Sequence, residues 1–160
     1  MANNYFRFKG FTIRQEHTAM KVGTDGVLLG SWAPVPERGR ILDVGTGTGL
    51  IAIMMAQRSG ARVTALEIDH DAFLQAKENI TNCRWHHRIE LIHQSCQDYC
   101  NSHPATFDAI VSNPPWFRNA LRSPHSGRNK ARHNKALPWS ELLEGTTALL
   151  KDSGALSLIL

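Results

Sequence analysis

The chain has 160 residues, of which 42% are hydrophobic, and carries a net charge of +4. This size and composition fit one globular domain with a sizeable core. The N-terminus lacks a signal-peptide pattern and no apolar run could span a bilayer, so we expect a cytoplasmic protein without a membrane partner. The three cysteines, an odd number without a Cys-x-x-Cys pair, argue against a disulfide framework and a zinc site.

The N-terminal part predicts a small cover over the core. Residues 5–14 alternate apolar and polar side chains, which is typical of a β-hairpin. A short helix is expected next, capped by Thr24 or Asp25. Its expected apolar face consists of Val27, Leu28 and Trp32. We assign residues 1–36 to this cover and residues 37–160 to the core domain.

From Arg40 onward, strand patterns alternate with helix patterns. The predicted strands are Ile41–Val44, Arg62–Glu67, Ile89–His93, Phe107–Ser112 and Ala155–Leu160. The predicted helices are Leu50–Arg58, Asp69–Asn82, a short one at Gln97–Cys100, and one from Pro138 to about Lys151. This alternation predicts an α/β fold with a parallel sheet covered by helices on both faces. Because a final apolar strand would leave a sheet edge open, we expect C-terminal edge strands to be missing.

A glycine-rich loop follows the first of these strands, at the place where ligands bind in open α/β sheets. Gly45, Gly47 and Gly49 allow a ligand to approach the backbone closely. Glu67 ends the next strand and can accept hydrogen bonds from both hydroxyls of a ribose. The Gly-x-Gly-x-Gly spacing differs from that of dinucleotide-binding proteins, and it favours a nucleoside ligand without pyrophosphate, such as S-adenosylmethionine.

The stretch Asn113-Pro114-Pro115-Trp116 ends the fourth strand of the alternation. The prolines fix the backbone and hold the Asn113 side chain at the strand end. Asn113 and the Pro114 carbonyl offer two acceptors for one amino group, and Trp116 offers a flat apolar face for stacking. Asn-Pro alone would favour an ordinary loop, but the upstream glycine loop favours a site for a planar substrate that carries an NH₂ group.

A basic segment comes next. Residues 117–140 contain six Lys or Arg and no Asp or Glu. A polyanionic partner and a solvated charged face are both compatible with this pattern.

These motifs resemble those of class I S-adenosylmethionine-dependent methyltransferases with an Asn-Pro-Pro-aromatic motif. Residues 20–34 are similar to the bacterial family of tRNA (adenine-N(6))-methyltransferases, which modify the adenine beside the anticodon of a valine tRNA. The resemblance implies a Rossmann-like sheet, S-adenosylmethionine as cofactor and tRNA as partner. It implies neither a metal nor an obligate protein partner.

The resemblance also implies roles for individual residues. Those expected to bind the cofactor are Asp43, Gly45, Gly47, Gly49, Glu67, Lys21 and Asp98. The catalytic group is expected to be Asn113, Pro114 and Trp116, and the RNA-binding group Arg128, Lys130 and Arg132. Cys96 stands where the family usually has the acid that meets the cofactor adenine, so either Cys96 or Asp98 is expected there. Alternative functions are methylation of a protein glutamine, methylation of a guanine amine in rRNA, and binding without catalysis by an incomplete domain.

Overall fold

The computed structural model describes residues 3–114 and 139–159 of the chain. The elements, in order, are β1 (Tyr5–Arg7), β2 (Thr12–Arg14), α1 (Thr24–Trp32), β3 (Arg40–Val44), α2 (Leu50–Arg58), β4 (Arg62–Glu67), α3 (His70–Thr81), a 3₁₀ turn (His86–Arg88), β5 (Ile89–His93), α4 (Cys96–Cys100), β6 (Phe107–Ser112), α5 (Trp139–Leu149) and β7 (Leu150–Leu158). Strands β3 to β7 form a five-stranded sheet in the order β5-β4-β3-β6-β7, with parallel pairing throughout. The antiparallel hairpin β1-β2 is separate. The predicted α/β fold is confirmed.

The central strands β3, β4 and β6 are buried on both faces, as their continuous apolar sequences predict, whereas the edge strands β5 and β7 are partly exposed. Successive residues of β3 contribute to opposite sides, with Ile41 in one apolar cluster and Leu42 in the other. The first cluster includes α2 and part of α3, and the second includes α4 and α5. None of the helices in the described part of the chain has the length and apolar character needed to cross a membrane.

The boundaries of α3 follow from its capping residues. The Asp69 side chain accepts a hydrogen bond from Ala72 N at 2.9 Å, and Asn82 is the C-terminal cap. An aspartate at this position satisfies one of the free N–H groups of the first turn. The predicted limits of this helix, like those of α2 and β4, are confirmed.

The predicted apolar face of α1 is wrong for two of its three residues, since only Val27 packs against the first apolar cluster. Leu28 and Trp32 are 54% and 80% exposed, whereas Leu29 is buried. The buried face also contains Gly26 and Gly30, which have no side chain to appear in an apolar pattern. A Cβ on Gly30 would overlap the Met54 side chain of α2, so these glycines let the two helices approach closely.

The predicted cap of α1 is also wrong. The N-cap residue is Gly23, in an extended conformation, and no side chain caps the helix. Thr24 and Asp25 lie inside the first turn. The helix start is therefore set by tertiary packing rather than by a capping side chain.

The last strand begins earlier than predicted. Leu150 already pairs with Phe107, and an irregularity follows before Ala155 pairs with Ala109. Lys151 lies beside this irregularity and bonds Asp108 across it at 2.7 Å. The helix α5 ends at Leu149 because Leu150 already pairs as a strand residue. The apolar pattern predicted Ala155 as the first strand residue and so did not include this early pairing.

Buried side-chain amides attach the N-terminal segment to α3. Asn79 accepts a hydrogen bond from Arg14 N and donates to Arg14 O, both at 2.8 Å. It also donates to Thr48 O, at 2.8 Å, in the glycine loop. One turn away, Gln75 Oε1 accepts from the backbone N–H groups of Glu16 and His17. We call this pair, Gln75 and Asn79, the amide seam.

We expect Asn79→Ala to lower the free energy of unfolding by about 2–4 kcal/mol, because it leaves buried backbone groups without partners. Urea denaturation measures this change. Asn82→Ala is the matched control, since its amide is exposed and makes one bond to Glu78 O. Equal losses in both variants would contradict the importance of the seam.

Candidate functional site

Three strands end side by side at the carboxyl edge of the sheet. Val44 of β3 is in register with Leu66 of β4 and with Ser112 of β6. The next residues along these strands are Gly45, Glu67 and Asn113. Because neighbouring strands lie about 4.8 Å apart, the register brings the glycine loop, the acid and the amide together.

The glycine loop has an open side and a packed side. Gly45, Gly47 and Gly49 have φ of 71°, 58° and 81°, a region that side chains disfavour. A Cβ at Gly45 or Gly47 would meet no atom within 4 Å, whereas one at Gly49 would lie 3.3 Å from Ile80. The first two glycines therefore expose backbone to a ligand, and the third packs against α3.

Asp43 lies beneath the loop rather than in its mouth. Its carboxyl is fully buried, and Oδ2 accepts hydrogen bonds from Thr46 Oγ1 at 2.6 Å and Ala52 N at 3.0 Å. The other oxygen, Oδ1, is buried without a partner among the described residues. Burial raises the pKa of Asp43 to about 7. The side chain thus fixes both ends of the turn from the loop into α2.

Glu67 joins the loop to the end of β4. Its Oε2 accepts from Gly47 N at 2.7 Å, and its Oε1 accepts from the N–H groups of Ile68 and Asp69 at 2.9 Å each. An ionised carboxylate has about four acceptor sites. These three bonds fix the carboxylate and leave acceptor capacity for a ligand hydroxyl.

An exposed apolar side chain beside Glu67 escaped the sequence reasoning. Ile68 is 69% exposed, and its carbonyl oxygen lies 3.0 Å from His93 Nε2. His93 also stacks on Phe73, with ring centroids 4.8 Å apart. The sequence did contain a signal for this exposed side chain: Ile68 is an apolar residue that directly follows the end of a strand, where the core no longer covers side chains. This surface suits a planar apolar group.

Asn113 is held at the strand end with its amide free of other described residues. Ser112 Oγ donates to Val44 O at 2.8 Å and fixes the end of β6 to β3. A Cβ on Gly26 would lie 3.6 Å from Asn113 Nδ2, so the first turn of α1 passes directly beside the amide. No hydrogen bond within the described chain uses the Asn113 amide, which leaves its oxygen available to a substrate.

Cys96 and Asp98 have different surroundings in α4. Cys96 is buried in the core, 3.9 Å from Cys100 Sγ, and burial raises its pKa to about 12. The Asp98 carboxylate is exposed and accepts from Ser95 Oγ at 2.6 Å. Of the two side chains, only that of Asp98 is presented to solvent.

The remaining predicted site residues are one exposed lysine and four residues that the structure does not describe. Lys21 is exposed in the segment before α1, where Val22 N donates to Gln15 Oε1 at 2.8 Å. Trp116, Arg128, Lys130 and Arg132 lie outside the described residues. Within the described part of the chain, no group of three His, Cys, Asp or Glu side chains could hold a metal ion.

Comparisons with known proteins identify the family of the chain. Residues 17–160 match the family "Methyltransferase small domain". The chain is 51% identical over 161 residues to a tRNA1(Val) (adenine(37)-N6)-methyltransferase of Bacteroides fragilis, covering 100% of this chain and 68% of that protein. It is 48% identical to the protein of that name from Trichodesmium erythraeum, covering 99% of this chain and 68% of the relative.

A solved structure shares the fold. Pyrococcus horikoshii TYW2, determined in complex with MeSAdo, superposes with a TM-score of 0.67 at 14% identity. The match covers 94% of this chain and 49% of that protein.

We expect stability to depend on pH through Asp43. Its folded pKa lies above the unfolded value of 3.8, so the folded state holds the proton more tightly. Stability should therefore fall as pH rises from about 4 to 7, by at most about 1.4 kcal/mol per pH unit from this group. Asp43→Asn should remove this slope in urea unfolding measured across that range, while the exposed Asp71→Asn should keep it. An unchanged slope in Asp43→Asn would contradict the prediction.

Proposed function

The chain belongs to the methyltransferase small domain family and, within it, to the bacterial tRNA1(Val) (adenine(37)-N6)-methyltransferases, and we propose how its residues perform that reaction. The proposed reaction transfers a methyl group from S-adenosylmethionine to the exocyclic amine of an adenine in tRNA. One observation carries the residue assignment: the strand register places the free amide of Asn113 beside the open glycine loop.

The described residues fit S-adenosylmethionine. Gly45 and Gly47 form a cradle with no atom where a Cβ would point. Glu67 has acceptor capacity for ribose hydroxyls, and Ile68 offers an exposed apolar surface next to it. Asp43 is proposed to support the methionine part of the cofactor from beneath the loop, by holding the loop in shape rather than by direct contact. Lys21 and Asp98 are exposed and remain proposed contacts.

S-adenosylmethionine, when bound, would supply a methyl group on a sulfonium. The amine nitrogen would bond to the methyl carbon as the carbon–sulfur bond breaks, so that S-adenosylhomocysteine leaves and the amine gives up one proton. The amine of adenine is a poor nucleophile, because its lone pair is delocalised into the ring. Hydrogen bonds from that amine to Asn113 Oδ1 and Pro114 O would localise the lone pair toward the methyl group. Such acceptors act through positioning and preorganisation, so Asn113 needs neither a metal nor a covalent step.

The remaining roles rest on the sequence. We propose that the target base leaves its stack and lies on Trp116, as enzymes that modify bases require. Arg128, Lys130 and Arg132 are proposed to bind RNA phosphates. Residues 1–36 are proposed to cover the site, which the proximity of Gly26 to Asn113 supports.

The relatives favour none of the alternatives. The curated proteins that match at 51% and 48% identity carry the name of a tRNA adenine methyltransferase. That name agrees with the prediction of a tRNA adenine methyltransferase. It names neither a protein glutamine methyltransferase nor an rRNA guanine methyltransferase.

We expect S-adenosylmethionine to raise the melting temperature of the protein. At one hundred times its Kd, a ligand stabilises the folded state by about 2.7 kcal/mol. Gly47→Val should abolish the shift, because its φ of 58° is strained for a side chain and the new atoms would fill the cradle. Glu67→Ala should abolish it as well. Thermal denaturation with and without ligand measures this, with NAD as the control ligand; an equal shift with NAD would contradict the cofactor assignment.

We expect Asn113→Ala to reduce kcat by about two to three orders of magnitude, the range for loss of one preorganised polar group. Transfer of labelled methyl groups to tRNA measures the rate. The thermal shift with S-adenosylmethionine should persist, since the amide acts on the substrate. Asn101→Ala, at the exposed C-terminal cap of α4, is the matched control. A wild-type rate in Asn113→Ala would show that the motif is only a turn.

A further inference from the structure

The opposite edge of the sheet carries a row of arginines. Arg40 begins β3 and is in register with Arg62, which begins β4. Val63 pairs with Ile89 on the next strand. Arg62 precedes Val63 and Arg88 precedes Ile89, so these two arginines also lie side by side. An arginine therefore stands at the first position of β3 and of β4, and a third stands directly before β5. We call these three residues the arginine row.

Two members of the row have no anionic partner among the described residues. Arg40 and Arg62 are exposed, and neither forms a salt bridge with a described residue. The carboxylate of Asp108 is already occupied, because it accepts from Lys151 Nζ at 2.7 Å and from the backbone N–H of Arg40 at 2.8 Å. Like charges on directly opposed strand positions destabilise a sheet unless an anion lies between them.

Arg88 and Arg40 are each in contact with neighbouring groups of the fold. Arg88 donates to the carbonyl oxygens of Ala56, Ser59 and Ala61 at 2.6–3.0 Å, which fixes it at the end of α2. The guanidinium of Arg40 lies 5.9 Å from the centroid of the Phe107 ring. A cation held over an aromatic face is partly ordered before any ligand arrives.

The row borders a groove of about 250 Å³ that also contains Thr64, His87 and Glu90. Glu90 is the one carboxylate in the lining, against three guanidinium groups. A concave, positively charged site of this kind suits a phosphate group, which arginine binds through two parallel hydrogen bonds.

We propose that Arg40 and Arg62 bind a backbone phosphate of the tRNA, as a second contact at the edge opposite the glycine loop. The proposal rests on the proposed function for the nature of the polyanion. The five residues of β3 separate the two edges by about 16 Å, a distance that one folded RNA arm can bridge. The row thereby adds affinity and orientation without touching the target base, because phosphate contacts position an RNA and base contacts specify it.

The test compares Arg40→Gln/Arg62→Gln with Lys9→Gln/Lys77→Gln, a double variant that removes two exposed charges elsewhere on the chain. The Kd for purified tRNA is measured over a range of salt concentrations. Because the two arginines are proposed to bind one phosphate, the slope of log K against log salt should become shallower by about 0.7–0.9. KM for tRNA should rise while kcat at saturating tRNA stays at the wild-type value. The Lys9/Lys77 variant should retain the wild-type slope and KM.

A second arm uses inorganic phosphate and thermal denaturation. Phosphate should stabilise the wild-type protein and not the Arg40/Arg62 variant. If this difference appears but the tRNA slopes are equal, the row binds free phosphate and the RNA assignment is wrong. If both arms show no difference between the two double variants, the proposal is overturned entirely. If the wild-type protein transfers no methyl group to tRNA, that result would instead count against the proposed function.

Discussion

The buried carboxyl of Asp43 is the interaction on which the candidate site depends. One of its oxygens accepts from the Thr46 hydroxyl and from the backbone N–H of Ala52 at the start of α2, which fixes the conformation of the glycine loop. Desolvation makes this position costly for a charge, which is why its pKa rises to about 7. Glu67 completes the arrangement from the neighbouring strand by holding Gly47 N. The loop is therefore fixed from below and from one side, and remains open on the other.

The N-terminal segment is connected to the same loop. Asn79 bonds both Arg14 and Thr48, so one buried amide contacts the hairpin and the glycine loop together. The segment then leads into α1, whose Gly26 lies beside Asn113. The glycine loop, the N-terminal segment and the Asn113 amide are thus linked by hydrogen bonds and packing contacts.

The two edges of the sheet have different chemistry. The carboxyl edge presents open glycine backbone, a carboxylate and a neutral amide, which suit a nucleoside and an amine. The amino edge presents the arginine row, which suits phosphate. A parallel sheet separates these functions naturally, because all of its strands begin at one edge and end at the other.

The sequence by itself determined the alternation of strands and helices, the caps of α3, and the residues of the glycine loop. These features depend on local chemistry: apolar runs, a capping carboxylate, and positions where only glycine tolerates a positive φ. Tertiary structure alone decided the buried face of α1, the early start of β7 and the inward direction of Cys96. Glycine packing against Met54, pairing of Leu150 with Phe107 and burial near Cys100 are long-range contacts that no local pattern records. The arginine row is of the same kind, since residues 22 or more positions apart become neighbours only when the strands pair in register.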